Sequence, residues 1–557
     1  VSYQEPTLRI ARSLAAVVVF ASTSFAPLLA DDLTTLRVGV ADSMATILRS
    51  PEKPSDKSKA ESIAWQQPMR LQLAKNEFES GQLVIEARPG QALHQVQVKV
   101  GPLVLDNADQ EMNWPAKNIL LWQVDSVETY NLWAPHQSLG YYPDPLQPLT
   151  RPFDVPAGQR QSVLVQLFAP SNLAPGTYRG EIVVSAADIP ETRVPVEVTV
   201  WSFTLPVDQH FTLSIPIWGG QMEKMYPDSQ TPERRRAYLD MLYDHRVAPF
   251  PLTDEEIPHA IERGVRDFCL VCFGIDGIEP EKAKRVGEQA ARWHKNGWDK
   301  LANSYVLLGD EAPRASYHYL REQGRLVHEA APAVTRRFTV TPEVISDVSW
   351  IGKQMHSLAD TVILAALPGI TDRLSRDVRA AGFGLWWYYV AQHYYIPTDK
   401  AEGRLVFWRH WKYEVPGQLH WGMTYWGDEN VAGRDGKKWP EVPWETKPCR
   451  SGDGYLVYPA PGGTAFWPSV RLEQLRDGIE DYETLCLLKR LTDRLDSNAQ
   501  PSAAARIKIN RQLLNLDNSL VKSYTEYDKR PESYRRYRQR VAEAIVATQE
   551  TVKDKRP

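Results

Sequence analysis

The chain has 557 residues, of which 43% are hydrophobic and 24% charged, with a formal net charge of −4. That length suits two or three domains, the composition excludes a disordered or fibrous chain, and the weak acidic balance offers no basic footprint for nucleic acid. Four cysteines (Cys269, Cys272, Cys449 and Cys486) are too few for a disulfide scaffold in a chain this long. Tryptophan is abundant at 18, and nine of these fall between Trp386 and Trp467. Such crowding suits sugar-ring stacking, although large cores also collect tryptophan.

Arg9 and Arg12 precede an apolar run, Leu14 to Ala21, and small residues follow up to Ala30. This is the layout of a signal peptide over residues 1–30, so a periplasmic or secreted protein is expected. No later segment is apolar for long enough to predict a membrane span.

From residue 31 to 206 apolar and polar residues alternate with period two, as in Met69-Arg70-Leu71-Gln72-Leu73 and Val96-Gln97-Val98-Lys99-Val100. Turn signals separate the runs, so an N-terminal β-sandwich is predicted. From residue 207 to 490 strands alternate with helices. Candidate strands are Phe211–Trp218, Val247–Leu252, Phe268–Phe273, Tyr305–Asp310, Arg337–Thr341, Thr361–Ala366, Gly384–Val390 and Leu419–Trp426. Candidate helices between them are Pro232–His245, Glu281–Lys295, Ala315–Glu329, Ile370–Ala381 and Glu402–Glu414. Eight alternations predict a (β/α)8 barrel. Residues 491–557 read as a C-terminal helical extension.

The fourth barrel strand ends in Asp310-Glu311, between Gly309 and Pro313. Barrel chemistry sits at the C-terminal ends of strands, so two carboxylates there are candidate catalytic groups. Both can reach the mouth only if the regular ladder stops, since neighbours on a strand face opposite ways. Glycosidic cleavage suits such a pair: one carboxyl donates a proton to the leaving oxygen while the other stays ionised. The plainer alternative is that one of them caps the helix beginning near Ala315.

Trp386, Trp387, Tyr388 and Tyr389 end the seventh strand, and alternation sends one of each pair inward; all four are candidate sugar contacts, with wall packing as the alternative. Trp426, at the end of the predicted eighth strand, is a fifth. Asp428 and Glu429 are open between sugar hydroxyls and solvent, Glu343 reads more simply as an exposed loop acid, and Asp453 is a turn residue with an approach to the pocket as its alternative. Cys269-Leu-Val-Cys272 lies inside an apolar strand, which would splay the thiols onto opposite faces and leave them as core filling. No histidine pair has metal-ligand spacing, so no metal and no organic cofactor is expected.

Longer motifs point further. Ser451-Gly452-Asp453-Gly454-Tyr455-Leu456-Val457-Tyr458-Pro459 is followed by the run Pro468 to Glu483, and both resemble the signature of the DUF4091 / glycoside hydrolase family 123 catalytic domain. Arg404 to Trp408, Trp411-Lys412-Tyr413, the run Trp421 to Trp426 and the Asp310-Glu311 pair resemble it too. The resemblance covers roughly residues 200–490. It implies a β-sandwich followed by a (β/α)8 barrel and a retaining β-N-acetylgalactosaminidase activity on terminal β-linked N-acetylhexosamine of a glycan. In that scheme the sugar's own 2-acetamido oxygen attacks the anomeric carbon. By resemblance, Asp310 orients the acetamido group and Glu311 acts as general acid and then base. One segment departs from the family: Ala391-Gln392-His393-Tyr394-Tyr395-Ile396-Pro397 stands where members usually carry a proline-rich stretch. The rival readings are another sugar, an endo-acting cut, or a non-catalytic glycan-binding protein. The charged segment Arg471–Glu483 is expected to lock the terminal helix to the barrel through ion pairs.

Overall fold

The computed structural model describes residues 36–50, 63–106, 112–129, 140–217, 228, 231–341, 358–368, 371–388, 394–426, 444–445, 452–460, 465–497 and 503–553. The expected signal segment lies outside them.

The N-terminal region is sheet-rich, as its period-two pattern requires. Its strands are β1 (Leu36–Asp42), β2 (Ala64–Trp65), β3 (Met69–Lys75), β4 (Glu77–Ala87), β5 (Leu93–Val100), β6 (Val104–Leu105), β7 (Ile119–Thr129), β8 (Gly140–Pro148), β9 (Phe153–Val155), β10 (Arg160–Ala169), β11 (Gly176–Ala186) and β12 (Ile189–Thr204). They form two sheets. One is ordered β2-β1-β4-β10-β7 with β8 also on β7, and the other β3-β12-β11-β5-β9 with β6 on β11. Every second residue of each sheet feeds one apolar core: Val38, Leu83, Ile85 and Val163 from the first, Leu71, Val96, Val184 and Val198 from the second. Alternation thus converts directly into a shared buried layer.

Eight parallel strands follow: β13 (Thr212–Pro216), β14 (Val247–Phe250), β15 (Asp267–Cys272), β16 (Asn303–Leu307), β17 (Thr335–Val340), β18 (Thr361–Ala365), β19 (Gly384–Tyr388) and β20 (Gly417–Leu419). They hydrogen-bond in the order β14-β13-β20-β19-β18-β17-β16-β15. The ladder is open only between β14 and β15, which remain in contact. Seven of the eight expected barrel strands coincide with observed ones to within a few residues. Helices α1 (Pro232–Asp244), α2 (Ile257–Glu262), α3 (Pro280–Lys295), α4 (Tyr317–Ala330), α5 (Thr371–Ala380) and α6 (Ala401–Lys412) connect them. This nearly closed parallel barrel is compatible with the TIM architecture.

The eighth strand needs a correction. It stops at Leu419, so Trp426 lies beyond it. The chain turns away because Gly422 packs on the Gly454 backbone, where an added Cβ would stand 2.8 Å from the Gly454 oxygen. Thr424 then bridges to Tyr455 rather than to a barrel strand. A two-stranded ladder, β22 (Val457–Pro459) with β23 (Phe466–Pro468), follows; before it, β21 (Trp444–Glu445) pairs with β7 of the first sheet.

The lumen is a packed core, formed by Phe250, Cys269, Tyr305, Leu307, Ile363, Ala365, Trp386, Tyr388 and Leu419. Arg337 is the exception in type. Its guanidinium lies between the Tyr305 and Trp386 rings, 4.0 and 4.1 Å from their centroids, and pairs with Asp267 at 2.7 Å. Cation–π contact on two sides and one ion pair offset the cost of burying that charge.

Helices α7 (Val470–Ser497), α8 (Ala504–Leu514) and α9 (Pro531–Lys553) complete the chain, and α7 runs straight through residue 490. Its first half is buried on every side despite its charges. Arg471 pairs with Asp144 of β8, Arg476 with Glu473, and Arg404 of α6 with both Asp481 and Glu79. Gly478 permits the close packing of α7 on α6: a Cβ there would fall 2.3 Å from Phe407. The ion pairs expected for this segment are present, and they join sheets, barrel and terminal helices. Among the described residues no helix is long and apolar enough to cross a membrane.

Candidate active site

Strand β16 ends at Leu307, so Asp310 and Glu311 lie three and four residues past the ladder, both exposed. The chain stays tied to β17 on the way out: Leu308 N–H donates to Arg337 O at 2.7 Å and Thr339 N–H to Gly309 O at 3.3 Å. Glu311 then adopts a left-handed backbone, φ 46°. A non-glycine residue there is held against a local cost of about 1–2 kcal/mol. That turn lets two consecutive carboxylates leave the strand on the same side.

Thr339 holds the pair. Its Oγ1 donates to Asp310 Oδ1 at 2.8 Å and accepts from the Glu311 N–H at 2.7 Å. One hydroxyl therefore fixes both the orientation of one acid and the backbone of the other. Tyr388, the last residue of β19, donates its Oη to Glu311 Oε1 at 2.8 Å. Among the described residues the second carboxylate oxygen of each acid has no hydrogen-bond partner. The helix-capping alternative is not what the geometry shows. A 3-10 turn, Arg314–Ser316, separates the acids from α4, and neither its cap nor that of α4 carries a side-chain hydrogen bond.

The aromatic candidates divide by alternation. Trp386 and Tyr388 point into the lumen, and among the described candidates Tyr388 alone bonds to the acid pair. Trp387 points outward. Its Nε1 donates to Ser375 Oγ at 3.1 Å, and its ring packs on His410, Tyr413 and Tyr524. Trp426 is 1% exposed, and its Nε1 donates to Val457 O at 2.7 Å; in that segment the exposed ring is Tyr425, at 50%. Tyr389, Glu343, Asp428 and Glu429 lie outside the described residues. Asp453 is buried and accepts from Trp421 Nε1 at 2.8 Å. Sequence reasoning missed Thr339. The signal was available: the expected fifth strand contains Arg337, and two residues on the same face comes Thr339, beside the acids of the neighbouring strand.

The expected splaying of Cys269 and Cys272 is also corrected. A register shift between Cys269 and Val271 brings their sulfurs to 3.9 Å. Among the described residues one group could gather around a metal, His210, Glu483 and Cys486. It lies away from the acids, next to the first residues of β13. Glu483 is already engaged there by the N–H groups of His210 and Phe211.

Comparison with known proteins adds a family match over part of the chain. Residues 292–488 match the family model described as glycoside hydrolase 123, catalytic domain. Among solved structures, the chain is similar to a family 123 glycoside hydrolase from Clostridium perfringens, studied for glycolipid glycan hydrolysis. The identity is 14%, the match covers 93% of this chain and 99% of the other, and the TM-score is 0.64. A GH2 β-galacturonidase from Eisenbergiella tayi bound to galacturonate is 10% identical over 79% of this chain and 71% of its own, with a TM-score of 0.31. A comparison with curated proteins finds no match.

Proposed function

We propose, for this glycoside hydrolase with its family 123 catalytic domain at residues 292–488, a retaining β-N-acetylgalactosaminidase activity that works by substrate assistance. The observation that carries the reading is the acid pair at the exit of β16, held by Thr339 on one side and Tyr388 on the other. The 2-acetamido oxygen of the bound sugar attacks the anomeric carbon as the glycosidic bond breaks. Asp310, with Oδ1 held by Thr339, turns its other oxygen to the acetamido N–H and stabilises the charge of the oxazolinium intermediate. Glu311 gives its proton to the leaving oxygen, then takes one from the water that opens the intermediate. No carboxylate forms a bond to the sugar, which sets this route apart from the two-carboxylate nucleophile scheme.

In this reading the chain acts outside the cytoplasm, and the two N-terminal sheets form a sandwich that braces the barrel. Glycolipid headgroup glycans are the first natural substrates to try, given the Clostridium perfringens protein. Matched aryl glycosides with a 2-acetamido or a 2-hydroxy group test the mechanism. Turnover restricted to the 2-acetamido series is expected; equal turnover of the 2-hydroxy series would show that the substrate supplies no nucleophile.

A further inference from the structure

Strand β15 carries Cys269-Leu270-Val271-Cys272. In a regular strand, residues three apart face opposite sides. Here the pairing with β16 sets Cys269 opposite Tyr305 but Val271 opposite Val306, so one extra residue is accommodated on β15. Such a bulge resets the alternation beyond it. Cys272 is therefore opposite Leu307, a lumen residue, as Cys269 is opposite the lumen residue Tyr305. The sulfurs come to 3.9 Å. A disulfide needs about 2.05 Å between sulfurs and side-chain rotation without large backbone movement. The pair already shares a face and hydrogen-bonding contact.

The two thiols differ in setting. Cys269 is buried and Cys272 is exposed. Cys272 ends its strand at the barrel mouth, within reach of the Asp310 charge. A hydrogen bond from Cys269 lowers the Cys272 thiol, against burial and the Asp310 carboxylate, which raise it; burial pushes Cys269 well up.

We infer that Cys269 and Cys272 are a redox-active dithiol at the mouth of the barrel, which a small-molecule disulfide converts to an intrachain disulfide. The Cys272 thiolate attacks one sulfur of the small disulfide, and the first small thiolate leaves and takes up the Cys272 proton. The Cys269 sulfur then attacks Cys272 Sγ in the mixed disulfide and expels the second small thiol, which carries the Cys269 proton. The protein loses two protons and two electrons, and the reagent takes them up to become two thiols. The inference stands on the bulge and the sulfur geometry, independent of which glycan the site takes.

The test uses the full chain, reduced and desalted, then incubated with oxidised glutathione under native conditions, acid-quenched and mapped by peptide mass. The expected product is a peptide containing residues 269–272 that lacks two hydrogens and carries no glutathione. In Cys269→Ser the second step is impossible, and a stable glutathione adduct on Cys272 is expected. Retention of both thiols in the wild-type chain, a lasting adduct at Cys272 there, or a bridge to Cys449 or Cys486 would each overturn the inference. The wild-type result decides on its own, whether or not the variant folds.

Discussion

Glu311 reaches the barrel mouth on a backbone that its residue type disfavours, and Thr339 is what keeps it there. Valine has nearly the shape of threonine but cannot make either hydrogen bond. Hydrogen bonds to charged groups contribute about 1.5–3 kcal/mol each. Thr339→Val should therefore lower kcat by about 10- to 100-fold, with KM little changed and the fold retained. Thr339→Ser, which keeps the hydroxyl, should recover most of the rate. A threonine that only packs would give the opposite order, because serine loses a methyl and valine does not. Steady-state kinetics of both variants, beside a melting curve, separate the two roles. The acid pair was legible in the sequence because an apolar run ending in two carboxylates marks a strand exit. Thr339 was less so, because its part depends on lateral register between β16 and β17, which no single segment reveals.

At the scale of the element, β19 shows what alternation can and cannot tell. Four aromatics in a row announce a strand end at the site, and the period of two divides them into inward and outward sets. It cannot say which set is which until the strand is placed in the barrel. The structure puts Trp387 against α5 and α6 with its indole N–H satisfied, so it belongs to the wall. Trp387→Ala should destabilise the protein by about 3–5 kcal/mol, the usual cost of emptying a large aromatic site. The remaining folded enzyme should keep its KM. Denaturant melts with kinetics below the transition check this; a raised KM in the fully folded variant would place the ring at the sugar instead. The barrel strands were readable because buried parallel strands are short apolar runs bounded by turns. The eighth was overextended because Trp421 to Trp426 has strand-like composition, while a close approach of Gly422 to Gly454 takes it out of the sheet. The bulge in β15 was invisible because it changes register without changing composition.

Across the whole molecule, the charged start of α7 is the joint between sheets, barrel and terminal helices. Glu473 shows how it works. It accepts from Gln166 of β10, meets His245 after α1 at 2.9 Å and pairs with Arg476. Burial pushes its carboxyl up, but Arg476 and His245 outweigh burial and hold it down to about 2, against an ordinary 4.5. A depressed folded-state value means stability that is present above about 4.5 and lost as pH falls toward about 2. Glu473→Gln should therefore flatten the acid limb of a melting-temperature profile in that window. It should also lower stability at neutral pH by about 3–5 kcal/mol, the cost of breaking a buried ion pair, although Arg476 keeps Asp477 at 2.7 Å. An unchanged acid limb would mean that other carboxylates dominate it. The helix was readable from its spacing, and so was its structural use. That it is buried on all sides was not, because charges at helical spacing ordinarily mark a solvated face.

In the proposed mechanism Glu311 serves as the proton donor and acceptor at a β-N-acetylgalactosamine site. The most direct measurement is hydrolysis of an aryl β-N-acetylgalactosaminide, beside the N-acetylglucosaminide, by wild type and Glu311→Gln. Turnover of the first is expected, with kcat reduced about 100- to 10,000-fold in the variant, the usual weight of general acid–base catalysis. Near-wild-type turnover by Glu311→Gln, or preference for the N-acetylglucosaminide, would contradict it.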